Sequence, residues 1–249
     1  VFLDTNTIGD DIDLNVFSRY GKLLVYPFSA SSEVRERIKD SDIVITNKCI
    51  MNSDTLSGSK VKLVCVTATG IDNVDLNYCK NNSIGVCNVR GYSTESVVMI
   101  TFALLLNLNV KIKSYTDYTR SRGYVNDTSF KHLGWTFNEL NGKTFGIIGL
   151  GAIGTRTAEV AESFGCEIIY WSSSGVDRSE KHRRVDFDTL LKHSDIISIH
   201  SPLTDITNKL FNKDAFAKMK KTSIIVNVGR GDIVDENALT DAIIKEQIG

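Results

Sequence analysis

Short β-branched or apolar runs alternate with amphipathic stretches through the first third of the chain. Leu23 to Tyr26, Asp42 to Thr46, Lys62 to Val66 and Gly85 to Val89 read as strands, and helical periodicity appears around Ser32 to Lys39 and Val74 to Lys80. Strands separated by helices predict βαβ units and a parallel sheet. A long helical pattern from Ser96 to about Asn109 leads into a polar, weakly periodic stretch, Lys111 to Asn141, that reads as a connector. The alternation then restarts, with strands at Phe145 to Gly149, Glu167 to Trp171, Ile196 to His200 and Ile224 to Val228, a helix from Ala152 to Phe164 and another from Asp235 to Gln247. Two such arrays predict an α/β chain of two doubly wound parallel-sheet domains. The boundary is expected just before the long helix, giving domains 1–95 and 96–249.

Composition narrows the partners. A length of 249 residues suits two domains of ordinary size. With 24% charged residues and a net charge of −1, there is no electrostatic basis for binding nucleic acid or an anionic membrane, so a small neutral or anionic ligand is expected. The longest apolar run, Val97 to Leu106 with Thr101 inside it, is too short to cross a bilayer and matches a buried helix. The five cysteines are odd in number and lack C-x-x-C spacing, so they read as small core residues in a reducing, cytoplasmic compartment, with no metal site expected. The chain opens at Val1 with no basic stretch leading into an apolar one, so no signal peptide is expected within it, and residues ahead of Val1 are.

The segment Thr144 to Gly154 is an apolar strand running into G-x-G-x-x-G and then a helix. In this arrangement Gly149 makes the tight turn, Gly151 lets the backbone approach a pyrophosphate, and Gly154 lets helix and strand pack closely. The helix N-terminus offers unpaired amides and a positive dipole end, placing the phosphates on Gly151, Ala152 and Ile153. The fingerprint alone is a weak signal, but here the preceding strand, the following helix and the return strand Glu167 to Trp171 are all present. That return strand should end in a carboxylate that accepts from the adenosine ribose, yet it ends in Ser172-Ser173-Ser174-Gly175. Serine hydroxyls can donate to a 2′-phosphate or to a plain ribose, so the cofactor is NAD or NADP, with the choice open. Arg178 is near in sequence and reads as a solvated surface residue.

Four ordered motifs carry a family resemblance over essentially the whole chain: Asn88 to Val97 (NVRGYSTESV), Leu140 to Thr144 leading into the glycine loop, His200-Ser201-Pro202-Leu203-Thr204, and Val226-Asn227-Val228-Gly229-Arg230-Gly231. Together they resemble the D-isomer-specific 2-hydroxyacid dehydrogenases, and Thr67 to Asp75 with Arg90 to Thr94 is most similar to the glycerate dehydrogenases, also called hydroxypyruvate reductases. The resemblance implies two Rossmann-like domains with the active site in the cleft between them, the first flavodoxin-like and substrate-binding, and a homodimer. It implies an oxidoreductase acting on the CH–OH group of donors, moving a hydride between NAD(P)H and a small 2-oxo or D-2-hydroxy acid, with hydroxypyruvate, glyoxylate or D-glycerate favoured. Thr69 and Gly70 match the loop whose amides bind the substrate carboxylate, and a glycine-containing turn after a strand can do so physically. Arg230 matches the family's catalytic arginine, and a guanidinium there can grip a carboxylate and polarise the adjacent carbonyl. His200, Ser201 and Pro202, with Val228 and Gly229, match the lining of the cofactor crevice. His132, His182 and His193 read as surface residues.

Two departures stand against the resemblance. Met99-Ile100 replaces the family's acidic or amide residue followed by histidine. The family's orienting carboxylate and proton-transferring histidine lie downstream of the Arg-Gly loop, so they are expected beyond Gly249 and the first domain is expected to be incomplete without that segment. A non-catalytic dinucleotide sensor of the same fold, corepressor-like, is the alternative reading.

Overall fold

A computed structural model describes residues 1–127 and 131–248. The chain divides into two compact units, Val1–Ser93 and Thr94–Gly249, each with its own core.

In the first unit, α1 (Ser31–Ile38), β1 (Ile43–Thr46), α2 (Ser53–Leu56), β2 (Leu63–Val66), α3 (Leu76–Asn81) and β3 (Gly85–Asn88) build a parallel sheet in the order β1-β2-β3. Phe2 extends it, bridging Ile45 on one side and Val25 on the other, both in parallel sense. The spatial order of chain segments is thus second, first, third, fourth, fifth, the flavodoxin-like sequence of a doubly wound sheet. The expected strand Leu23 to Tyr26 is reduced to the single bridge at Val25, because among the described residues it pairs with Phe2 alone and Leu24 and Val25 are exposed. Val34, Ile38, Val44, Leu56, Val64 and Cys79 form the core beneath the sheet.

The second unit opens with α4 (Thr94–Val110), α5 (Ile112–Arg120) and α6 (Gly123–Asn126). The connector expected from Lys111 to Asn141 is therefore partly helical: α5 gains an i,i+4 ion pair, Lys113 with Asp117, and Tyr115 and Tyr118 meet His132 and Trp135 in mostly edge-to-face contacts that polar composition hides. Residues 128–130 of that connector lie outside the described residues. Next come β4 (Thr144–Ile148), α7 (Ala152–Ser163), β5 (Glu167–Trp171), β6 (Arg183–Arg184), α8 (Phe187–His193), β7 (Ile196–Ile199), α9 (Lys213–Lys218), β8 (Ile224–Asn227) and α10 (Glu236–Ile244). The five strands are all parallel, in the order β6-β5-β4-β7-β8.

Helices cover both faces of this sheet. Phe145 and Ile147 of β4 pack against Phe102 of α4 and Ala158 of α7, whereas Ile148 joins Leu190 of α8, Phe216 of α9 and Ala242 of α10. Burial on both faces explains why β4 and β7 read as continuous apolar runs. The Val97 to Leu106 run buries one side: Val98, Phe102 and Leu105 are in the core, while Met99, Ile100 and Leu104 are exposed. No single helix among the described residues is long and apolar enough to cross a membrane. Two further expectations are corrected. Cys87 is exposed, since β3 turns it away from the packed face, and His182 is buried 3.7 Å from the Glu162 carboxylate.

Candidate functional site

At the carboxyl edge of β4 the chain turns at Gly149, whose φ of +91° suits glycine and strains any other residue. A side chain there would press on the Ser201 backbone at 3.0 Å, so the loops after β4 and β7 touch. A Cβ at Gly154 would overlap the Gly149 carbonyl oxygen, which is how the first turn of α7 packs onto the strand end. Gly151 differs, because a Cβ there would meet nothing within 4 Å. Its missing side chain leaves open space in front of the helix N-terminus. Gly151 is the N-cap and no side chain caps α7, so the amides of Ala152, Ile153 and Gly154 are left for an external acceptor.

His200 and Ser201 stand beside this turn. The His200 amide donates to the Ile148 carbonyl at 2.8 Å, fixing the loop after β7 to the end of β4. Its Nε2 lies 2.8 Å from Ser198 Oγ, while Nδ1 is buried without a partner among the described residues, as is Ser201 Oγ. Burial lowers the imidazole pKa to about 4, so His200 is neutral at physiological pH. Pro202 is exposed and its carbonyl accepts from Thr207 Oγ1 at 2.7 Å, bracing the loop.

The loop after β8 completes the edge. Asn227 clamps it: its Oδ1 accepts from the Gly229 amide at 3.0 Å and its Nδ2 donates to the Arg230 carbonyl at 2.9 Å. A Cβ at Gly229 would lie 3.2 Å from the Ser201 carbonyl oxygen, so this loop too is packed on its neighbour, with Val228 half-buried behind it. Arg230 is half-buried, with Nη1 donating to the Gly229 carbonyl at 3.3 Å. The motif that contains Asn227 does not by itself disclose this clamp; a polar amide at a strand end, two residues before a glycine, is the signal that marks it. Gly149, Gly151, Gly154, Ala152, Ile153, His200, Ser201, Pro202, Val228, Gly229 and Arg230 therefore gather on one sheet edge. Ser172 follows β5 on the same edge, its Oγ 2.9 Å from Ser174 Oγ.

Thr69 and Gly70 belong to the first unit, in the loop after β2. Thr69 Oγ1 donates to the Val89 carbonyl at 3.0 Å and the Thr69 carbonyl accepts from Asn88 Nδ2 at 2.7 Å. Asn73 Nδ2 donates to the Cys49 carbonyl at 2.8 Å, tying the same loop to the one after β1. That latter loop is held by a buried carboxylate: Asp4 accepts from the amides of Asn47, Lys48 and Cys49 and from Thr46 Oγ1, at 2.6 to 3.3 Å.

An uncapped helix, an open cradle at Gly151 and two unpartnered buried polar atoms fit a dinucleotide. Residues 102–249 match the family model described as D-isomer specific 2-hydroxyacid dehydrogenase, NAD binding domain. A hydroxypyruvate reductase of Blautia hydrogenotrophica is 33% identical over 239 residues, 94% of this chain and 74% of its own length. Among solved structures, an acyclic imino acid reductase in complex with NADPH and D-Arg superposes with a TM-score of 0.87 at 30% identity, covering 94% of this chain and 75% of that one. The D-lactate dehydrogenase of Aquifex aeolicus, complexed with NAD and lactic acid, gives 0.86 at 28% identity, covering 99% and 74%. The fold order, the edge geometry and these likenesses agree, and the chain belongs to the D-isomer specific 2-hydroxyacid dehydrogenase family.

Proposed function

We propose that the protein reduces a small 2-oxo acid to the D-2-hydroxy acid, and catalyses the reverse, with hydroxypyruvate or glyoxylate and D-glycerate as favoured substrates. The observation that carries the reading is the placement of Arg230, on its Asn227-clamped turn, at the same sheet edge as the uncapped α7 amides. When bound, the NAD(P) nicotinamide supplies or accepts the hydride. The amides of Ala152 and Ile153 hold the pyrophosphate, and Ser172 faces the adenosine ribose. Arg230 binds the substrate carboxylate and, through its planar fork, stabilises negative charge developing on the 2-oxo oxygen. Thr69 and Gly70 hold the carboxylate by backbone amides, in a loop whose shape is kept by Asn88 and Asn73.

His200 does not serve as the acid in this reading. Its Nε2 is engaged with Ser198 and burial keeps it neutral, so it lines the cofactor crevice as an apolar and dipolar wall. The unit Val1–Ser93 takes the substrate-binding role and Thr94–Gly249 the dinucleotide-binding role. A homodimer in the cytoplasm, with neither nucleic acid nor membrane as partner, completes the proposal; the near-neutral net charge supports the part about nucleic acid and anionic membranes.

The test follows NADH or NADPH oxidation with hydroxypyruvate, glyoxylate and pyruvate. Arg230→Ala should lower kcat/KM by about 3 kcal/mol or more, with both constants affected, and Arg230→Lys should recover only part. His200→Ala should act mainly through cofactor affinity. Loss of turnover in His200→Ala with cofactor binding intact, or normal turnover in Arg230→Ala, would reverse the two assignments.

A further inference from the structure

We propose that Cys65 and Cys87 form a reversible thiol–disulfide site on the less covered face of the first unit's sheet, oxidised by a low-molecular-weight disulfide such as oxidised glutathione. None of the residues given a role in binding dinucleotide or substrate takes part. Side chains of the β1-β2-β3 sheet alternate between two unlike faces. Val44 and Val64 point into the core with Val34 and Ile38 of α1, whereas Ile43, Ile45, Leu63 and Cys65 line a cavity of about 430 Å³ on the other side. Cys87 lines the same cavity. The two cysteines are register partners on neighbouring parallel strands, and Cys87 donates to Cys65 across a sulfur–sulfur distance of 3.4 Å. Neighbouring strands lie about 4.8 Å apart, inside the roughly 4.4–6.8 Å usual for the Cα atoms of a disulfide. Closing the bond is then a matter of side-chain rotation, with the strand pairing left in place.

The other three cysteines are placed differently. Cys79 and Cys166 are buried, Cys166 donating to the Leu140 carbonyl at 3.3 Å, and Cys49 is half-buried against the core of the first unit. Cys87 is exposed and Cys65 half-buried, and this inequality sets the order of events. The Cys87 thiolate attacks one sulfur of the small disulfide, breaks its S–S bond and expels one thiolate, leaving a mixed disulfide. Cys65 then loses its proton and attacks the Cys87 sulfur, expelling the second thiolate. Two protein thiols give up two electrons and two protons, and one RS–SR becomes two RSH. Burial, with the Cys87 thiol beside it, pushes the Cys65 pKa up to about 12, so Cys65 holds its proton while Cys87 reacts first, and capping Cys87 removes the second of these causes. The pair lies one register step before Val66 and Asn88, so oxidation fastens β2 to β3 just below the loop in which Asn88 Nδ2 and the Val89 carbonyl hold Thr69. In a reducing compartment such a bond is transient and reports redox state.

The experiment incubates the native protein, Cys65→Ser and Cys87→Ser with oxidised glutathione, alkylates the remaining thiols and maps the peptides by mass spectrometry. Matched thermal unfolding curves verify that each variant folds. The unmodified protein should lose two titratable thiols and yield a peptide crosslinked between Cys65 and Cys87, and excess reduced glutathione should restore both thiols. Cys65→Ser should stop at a glutathione mixed disulfide on Cys87, and Cys87→Ser should form neither adduct nor crosslink. Phenylarsine oxide, which bridges closely spaced thiols, should bind the reduced protein one to one and lose that binding in either variant. Retention of all five thiols by the unmodified protein, a crosslink through any other cysteine, or a crosslink that survives excess reduced glutathione would each overturn the site. Glutathione on Cys65 of Cys87→Ser would overturn the order of attack. Every one of these outcomes leaves the dinucleotide reading untouched.

Discussion

The two units hold the loops at their carboxyl sheet edges by different means. In Thr94–Gly249 the loops after β4, β7 and β8 are joined by close backbone approach: Gly149 against Ser201, Gly154 under the Gly149 carbonyl, Gly229 against Ser201. In Val1–Ser93 the corresponding loops are joined by polar side chains, with Asp4 gathering the amides of residues 47 to 49 and Asn73, Asn88 and Thr69 linking neighbouring turns. Backbone packed on backbone keeps the space in front of Gly151 clear, which suits a long ligand lying across it. Hydrogen-bonded side chains instead define a small rigid loop, which suits a carboxylate.

The contrast can be broken from the polar side first. Asp4→Ala strands the part-buried amides of Asn47 and Lys48 and the buried Thr46 hydroxyl, while the Cys49 amide keeps Thr46 Oγ1 at 3.0 Å, and should cost roughly 4 kcal/mol in urea unfolding; a loss under about 1 kcal/mol would show that solvent replaces the carboxylate. Next, Gly154→Ala and Gly151→Ala sharpen the glycine side. The first forces a methyl group into the Gly149 carbonyl and should cost about 3 kcal/mol. The second enters open space and should leave stability within about 0.5 kcal/mol while weakening dinucleotide binding. Equal stability losses in the pair would remove the distinction between packing and ligand cradle.

The smallest effect is in acid. His200 is neutral in the fold down to a pKa of about 4, against an unperturbed value of 6.5, so the unfolded chain takes the proton first. Its contribution is complete above pH 6.5 and is lost as the pH falls toward 4, amounting to roughly 1–3 kcal/mol. A His200→Gln variant should lack that part of the acid-side slope, measured by chemical unfolding between pH 7 and 4.5; superimposable slopes would place the ring in contact with water.

Much of the edge was legible because glycine and strand signals reinforce one another: β5 runs from Glu167 to Trp171, as expected, and β4 and α7 differ from expectation by a residue at their ends. Elements without apolar periodicity were missed. β6 is only Arg183 and Arg184, paired to β5 through backbone alone, so no side-chain pattern marks it. The short helices α8 and α9 did carry signals, in Asp186 and Asn212, which cap them by accepting from first-turn amides. Asp4 illustrates a different limit. A lone aspartate near an apolar residue has no signature of the amides it will meet more than forty positions later. The resemblance located Arg230, but only coordinates reveal the Asn227 clamp beneath it.

All registered strand pairs in this molecule are parallel, and each joins positions more than a dozen residues apart. No hairpin is therefore available among the described strands to start either sheet. Phe2 must wait for Leu24 and Ile45 before its ladder forms, and β4 must wait for β5 and β7. Each wait is a loop closure whose entropy cost precedes any gain from pairing, so folding belongs to the millisecond and slower regime of non-local topologies. During that interval the apolar strand edges are unprotected, and the yield of the protein will depend on how concentrated its nascent chains are.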